Sequence, residues 1–201
     1  LNLASEYVQS SKEMENRFMT LSRKMKAAYN IVFPSGELTE AEIAKAQFYL
    51  AIRSIIYKQT KGDAPDAEIM NKVVEGMVQK AISCTGVENI VDENKSIDLF
   101  SDEFEKQLKS IKLPITKFNA LIKLLRKAII SYGHVNKVKA IEFDERLRKV
   151  VEIYNTRDKL VFTSEVVADF VNDLSDELIK IFKDLEADKT SFEAMGITYE
   201  E

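Results

Sequence analysis

Between residues 114 and 154, apolar and charged positions repeat with helical period. Phe118, Leu121, Leu125, Ile129 and Tyr132 recur every three or four residues, and Phe143, Leu147, Val150, Val151 and Tyr154 repeat that spacing. Lys117, Lys123, Arg126 and Lys127 fall mostly between the first set, and Arg146, Arg148 and Lys149 are interleaved with the second. At about 3.6 residues per turn, such spacing draws one apolar stripe down a helix and leaves the other face to charge. The pattern predicts two amphipathic helices that are both central core material and the most basic part of the chain.

The same period extends in both directions. Residues 1–30 read as one long helix, with Leu3, Tyr7, Met14, Phe18, Leu21, Met25 and Ala28 on one face and Ser10 with Glu13 as a possible restart. Phe33-Pro34-Ser35-Gly36 breaks it. Thr39 followed by Glu42 has capping-box spacing and opens a helix to about Tyr57 through Ile43, Leu50 and Ile56. After a turn at 61–65, Met70, Val73, Val74, Met77, Val78 and Ala81 mark a third helix that ends near Cys84, with Gly86 as its stop. Residues 85–100 lack helical period and read as a loop. A short helix over 101–111 stops at Leu113-Pro114. The two central helices are separated by Gly133-His134 and a basic stretch through Lys139. Last, Thr163 and Ser164 introduce a long helix striped by Val167, Phe170, Val171, Leu174, Leu178, Ile181, Phe182 and Leu185, with a polar, acidic tail over 191–201. No repeat of solenoid length is present. The expected fold is all-α: an irregular bundle of about seven helices in a single domain over residues 1–201.

Composition agrees with that pattern. Only 6 Gly and 3 Pro occur among 201 residues, so chain breakers are scarce, and 45% hydrophobic content suffices for a core. One cysteine excludes an internal disulfide, and no apolar run approaches the roughly 18 residues of a membrane span. Without a signal-peptide pattern, a cytoplasmic protein is expected. The chain begins at Leu1 rather than Met, as expected of a piece cut from something longer. Charge changes the picture more. The net is −4, yet residues 117–162 carry 11 Lys/Arg against 5 Asp/Glu, while residues 163–201 carry 3 against 11. A nucleic-acid binder is usually basic throughout. A dipolar chain suits pairing with its own parts or with a protein partner.

Chemical motifs are sparse. No Gly-x-x-x-x-Gly-Lys run exists to cradle a phosphate. Asp102-Glu103-Phe104-Glu105 looks like a helicase Asp-Glu box, but lacks a buried strand before it and reads better as an acidic first turn. Asp92-Glu93-Asn94-Lys95 contains the Glu-x-Lys of some metal-dependent nucleases, without their paired strands, and reads as a solvated loop. His134 is the sole histidine and Cys84 the sole cysteine, so no metal cluster or Cys-His pair is expected; Cys84 reads as core. No catalytic, cofactor-binding or metal-binding residue is assigned. The strongest nonstructural feature is basic: Lys123, Arg126, Lys127, Lys137, Lys139, Arg146, Arg148 and Lys149, as wet helix faces or as contacts to DNA phosphates or an acidic partner. Aromatic residues are not interleaved as in single-strand binders.

Phe100-Ser101-Asp102-Glu103-Phe104, followed by Asn119-Ala120-Leu121-Ile122-Lys123-Leu124-Leu125-Arg126, resembles a motif pair in the C-terminal helical region of type I restriction enzyme R subunits. Phe143-Asp144-Glu145-Arg146-Leu147, Tyr154-Asn155, Leu160 and Thr163-Ser164-Glu165-Val166-Val167 continue that order. Upstream, Phe33-Pro34, Phe48-Tyr49 and Arg53 sit where the family has similar features, and Gly196-Ile197-Thr198-Tyr199-Glu200-Glu201 resembles the start of a further segment. Each motif alone is a helix-like string; their shared order carries the resemblance, over nearly all of the chain. Residues 136–142 are less basic than is usual in the family, which favours docking over direct DNA contact.

The resemblance implies a non-catalytic assembly domain. Its parent would be an ATP- and Mg²⁺-dependent endonuclease and DNA translocase, with nuclease and motor domains N-terminal to this region. The domain would dock that motor onto the modification (M) and specificity (S) subunits of a methyltransferase. The alternative is a non-specific clamp on duplex DNA through the basic faces.

Overall fold

A computed structural model describes residues 1–61, 72–85, 102–157 and 164–194. Among these, every regular element is helical, as the periodicity predicts, and eight α-helices are present. Contacts gather into two compact units, Leu1–Asn89 and Ile90–Glu201.

In the first unit, α1 (Asn2–Gln9) and α2 (Lys12–Val32) replace the single expected helix. The break falls at Ser10 and Ser11. Ser11 is extended, and its hydroxyl accepts from the Met14 amide at 3.2 Å, so the restart is capped one residue later than Ser10. Pro34 then sits in a 3₁₀ turn, Phe33–Ser35, closed by Gly36 at φ 74°, a left-handed value that glycine adopts at no steric cost. The capping box opens α3 (Glu40–Lys61) as predicted: the Thr39 amide donates to Glu42 at 2.9 Å, and the Glu42 amide donates to the Thr39 hydroxyl at 3.3 Å. The Thr39 amide and then the Thr39 hydroxyl, both donating to the Glu42 carboxylate, hold it below its ordinary pKa. The helix runs four residues past Tyr57.

Helix α3 is the hub of this unit; α1, α2 and α4 (Lys72–Thr85) all pack on it. Leu50, Ala51 and Ile55 meet Tyr29, Val74, Val78 and Ala81, while Ile52 and Ile56 meet Val8. The stripe predicted for residues 1–30 packs only in part, with Phe18 and Met25 against the core. Leu3, Tyr7 and Leu21 are exposed, and the buried positions are Ser5, Val8, Gln9, Glu15, Ser22 and Tyr29. Polar links serve this core: the Gln9 amide donates to Gln59 Oε1 at 2.8 Å, and Asn2 Nδ2 to the Ala81 carbonyl at 3.1 Å. Cys84 is exposed, not core as expected, because it lies past Ala81 on the outer side of the last turn. Met70, Gly86, the turn at 61–65 beyond Lys61, the loop read over 85–100 beyond Thr85 and Asp92-Glu93-Asn94-Lys95 lie outside the described residues.

The second unit follows its sequence closely. It contains α5 (Asp102–Ser110), α6 (Pro114–Tyr132), α7 (Lys137–Asn155) and α8 (Ser164–Ala194). Pro114 occupies the first turn of α6, where a missing N–H costs nothing. Asn136 caps α7, its Oδ1 accepting from the Lys139 amide at 3.0 Å. Helices α6, α7 and α8 pack on one another. Phe118, Leu121, Leu125, Ile129, Leu147, Val171, Leu178 and Leu185 fill the space between them. Phe104 of α5 stacks on Phe182 at 5.7 Å, and Phe118 lies 4.4 Å from Tyr154. Residues 102–110 being helix agrees with the acidic-turn reading over the Asp-Glu box.

Candidate interaction surface

Helix α6 carries four cations, Lys117, Lys123, Arg126 and Lys127, and no carboxylate. The acid-free run is longer: residues 106–141 contain nine Lys/Arg and no Asp or Glu. One face of α6 is needed for the core, so these charges are forced to the other. Arg126 and Lys127 are exposed, and Lys123 is half-buried.

A tight turn, Gly133 to Val135, reverses the chain into α7. A Cβ on Gly133 would lie 3.2 Å from the Ile130 carbonyl oxygen and 3.5 Å from Ala140 Cβ, so the missing side chain lets the two helices close. The amides of His134 and Val135 donate to Ser131 and Tyr132 carbonyls at 3.2 and 2.9 Å. The His134 side chain is exposed.

A polar latch ties this turn to α8. The Tyr132 hydroxyl donates to Asp188 Oδ2. Burial, then the hydrogen bond and negative charge of Asp188, hold the phenol proton well above its ordinary pKa, against a smaller opposing effect of Asn136. Lys139 pairs with Glu142 at 2.8 Å, and Glu142, with a further contribution from Asp188, raises the lysine pKa. One turn earlier on α8, Asp184 accepts from Arg146 at 2.6 Å, and that guanidinium also lies 5.7 Å from the Phe143 ring. The basic and acidic thirds of the chain therefore do meet inside the second unit.

The eight candidate cations thus separate. Arg146 reaches across to Asp184 of α8, while Lys139 and Arg148 pair along α7 with Glu142 and Asp144 at 2.8 and 2.7 Å. Arg126, Lys127, Lys137 and Lys149 are exposed and form no ion pair among the described residues. The structure does not gather all eight on one face. Lys137 and Lys149, at about 100° per residue, stand roughly a third of a turn apart on α7.

Three residues beside these cations escaped the sequence reading. Ile130 is 69% exposed, Val138 69% and Ile141 54%, although all three are β-branched and apolar. Arg157, at the other end of α7, was also missed. It is buried, donates to the Tyr154 carbonyl at 2.9 Å and lies 3.9 Å from the Tyr154 ring. A cation there satisfies a carbonyl at a helix C-terminus. The acid-free run was a usable signal for the first group; nothing in the local sequence marks Arg157.

Among the described residues, no His, Cys, Asp and Glu cluster is placed to hold a metal, and no helix is long and apolar enough to cross a membrane. A family model described as type I restriction enzyme HindI endonuclease subunit-like, C-terminal, matches residues 1–201. The chain belongs to that family. It is a C-terminal domain of a type I restriction endonuclease subunit-like protein, as its ordered motifs led us to expect. No curated protein and no solved structure matches it.

Proposed function

We propose that this domain docks an ATP- and Mg²⁺-dependent DNA translocase and endonuclease onto the M–S core of its methyltransferase, in the cytoplasm, in defence against foreign DNA. The domain itself supplies binding and no chemistry. The observation that supports this most is the division of charge in the second unit. Asp184 of α8 neutralises Arg146, and acids of α7 pair with Lys139 and Arg148, while Arg126, Lys127, Lys137 and Lys149 are left at the surface. Surface charge of one sign steers and registers a complementary protein. Family membership supplies the setting, a restriction subunit that works with other subunits.

A second reading rests on the same four cations, which suit phosphates as well as carboxylates: a non-specific duplex clamp that assists the motor. Capture by a purified M–S complex separates the two, comparing the intact subunit with one lacking this domain, with and without target DNA. Domain-dependent capture without DNA supports docking. Binding to DNA alone, falling steeply with salt and indifferent to sequence, supports the clamp.

A further inference from the structure

The α6–α7 turn carries an unusual mixture. Phosphates ask only for cations and polar donors, yet here Ile130, Val138 and Ile141 stand more than half exposed among Arg126, Lys127 and Lys137. Arg126 and Ile130 are four residues apart on α6, and Lys137 and Ile141 four apart on α7, so each pair shares a helix face. Counting 1.5 Å per residue, all six lie within about 10 Å of the turn along the two helix axes. Up to Ile141 the two helices of the tip carry no carboxylate, and the first one, Glu142, is paired with Lys139. Farther along α7, Asp144 pairs with Arg148, and Glu145 and Glu152 are exposed.

That tip is also held in shape. The Tyr132–Asp188 hydrogen bond, the Asn136 cap and the close approach at Gly133 fix the helix ends on both sides of the turn. A backbone already held in place loses little entropy on binding, which suits an anchor.

We infer that the hairpin tip, Ile130, Val138 and Ile141 flanked by Arg126, Lys127 and Lys137, is the anchor of docking, and that its occupant is a protein surface presenting an apolar recess rimmed by carboxylates. This rests on the docking reading above. The aliphatic side chains supply most of the affinity by leaving water, and the cations align the partner and exclude basic surfaces. A phosphate backbone has no counterpart for exposed aliphatic side chains at the end of a helical hairpin.

The test titrates the intact endonuclease subunit against the purified M–S complex at low and high salt. One variant carries Ile130→Ser, Val138→Ser and Ile141→Ser together; the other carries Arg126→Gln, Lys127→Gln and Lys137→Gln. The apolar variant is expected to bind roughly a hundredfold more weakly at both salt concentrations. The charge variant is expected to bind about tenfold more weakly at low salt, a gap that closes as salt rises. Should the triple serine variant lose helical signal, Ile130→Ser and Ile141→Ser separately carry the test, each expected about fivefold weaker. Wild-type affinity in the apolar variants overturns the anchor and leaves docking standing. No binding by the wild-type subunit removes the docking reading and the anchor with it. Binding of wild type to duplex DNA alone, lost in the charge variant and kept in the apolar one, makes the tip a phosphate surface and also overturns the proposal.

Discussion

In α6 and α8 the apolar stripe points where its spacing says it should; in α1 and α2 it does so only in part. Leu121, Leu125, Leu178 and Leu185 are buried, whereas Leu3, Tyr7 and Leu21 are at the surface and Ser5, Glu15 and Ser22 are inside. In α2, Phe18 and Met25 of the sequence stripe pack on the core, but Leu21 and Ala28 are exposed, and their places are taken by Ser22 and Tyr29, one position further round. The second unit shares its burial among three amphipathic helices, each of which must present its greasy face. In the first unit α3 is apolar around much of its surface, so its neighbours can pack on it with small or hydrogen-bonded polar residues. A hub with a broad apolar surface relaxes the demand on the helices around it.

That contrast can be broken by substitution. Leu125→Ala, at a fully buried site, is expected to cost about 3 kcal/mol in urea unfolding followed by circular dichroism. Leu21→Ala, more than half exposed, is expected to stay within about 0.5 kcal/mol of wild type. Comparable losses at the two sites would mean that α2 is rotated from the arrangement described here.

Tyr132→Phe is expected to cost about 1.5 kcal/mol, the scale of a hydrogen bond to a charged group. It also carries a pH signature. The folded phenol keeps its proton above the ordinary value of 10.0, so its contribution is complete below that pH. As pH rises further the unfolded chain ionises first, and stability falls toward the folded pKa. An alkaline melting series should therefore decline more steeply for wild type than for Tyr132→Phe.

Gln9→Ala tests the polar side of the comparison, with an expected loss of about 1 kcal/mol because the part-buried Gln9–Gln59 hydrogen bond is removed. Hydrogen exchange of α1 amides should report it; unchanged protection would show that the link contributes nothing. Smallest of all, Arg146→Ala should cost about 0.5 kcal/mol, less in high salt, since both members of its pair with Asp184 are well solvated.

The anchor proposed at the hairpin tip was only half legible. Arg126, Lys127 and Lys137 announce themselves as charge, but Ile130, Val138 and Ile141 look like core from composition alone. Ile130 follows the buried Ile129, and a one-residue step on a helix is enough to turn a side chain from core to solvent. Likewise the pairing of Arg146 with Asp184 spans 38 positions, a separation at which sequence can offer opposite charge and no register.

By itself the sequence determined the helical class, the capping box at Thr39, the stop at Pro34 and Gly36, the stripes of α6, α7 and α8, and membership of the restriction-subunit family. Those are local matters of hydrogen-bond capping, backbone freedom and 3.6-residue period, or of motif order along one chain. Tertiary structure alone decided which side of α1 and α2 is inner, which basic residues α8 neutralises, that Arg157 is buried and that Cys84 is not. Each depends on the surface a neighbouring helix brings, and a helix's own period leaves that choice open.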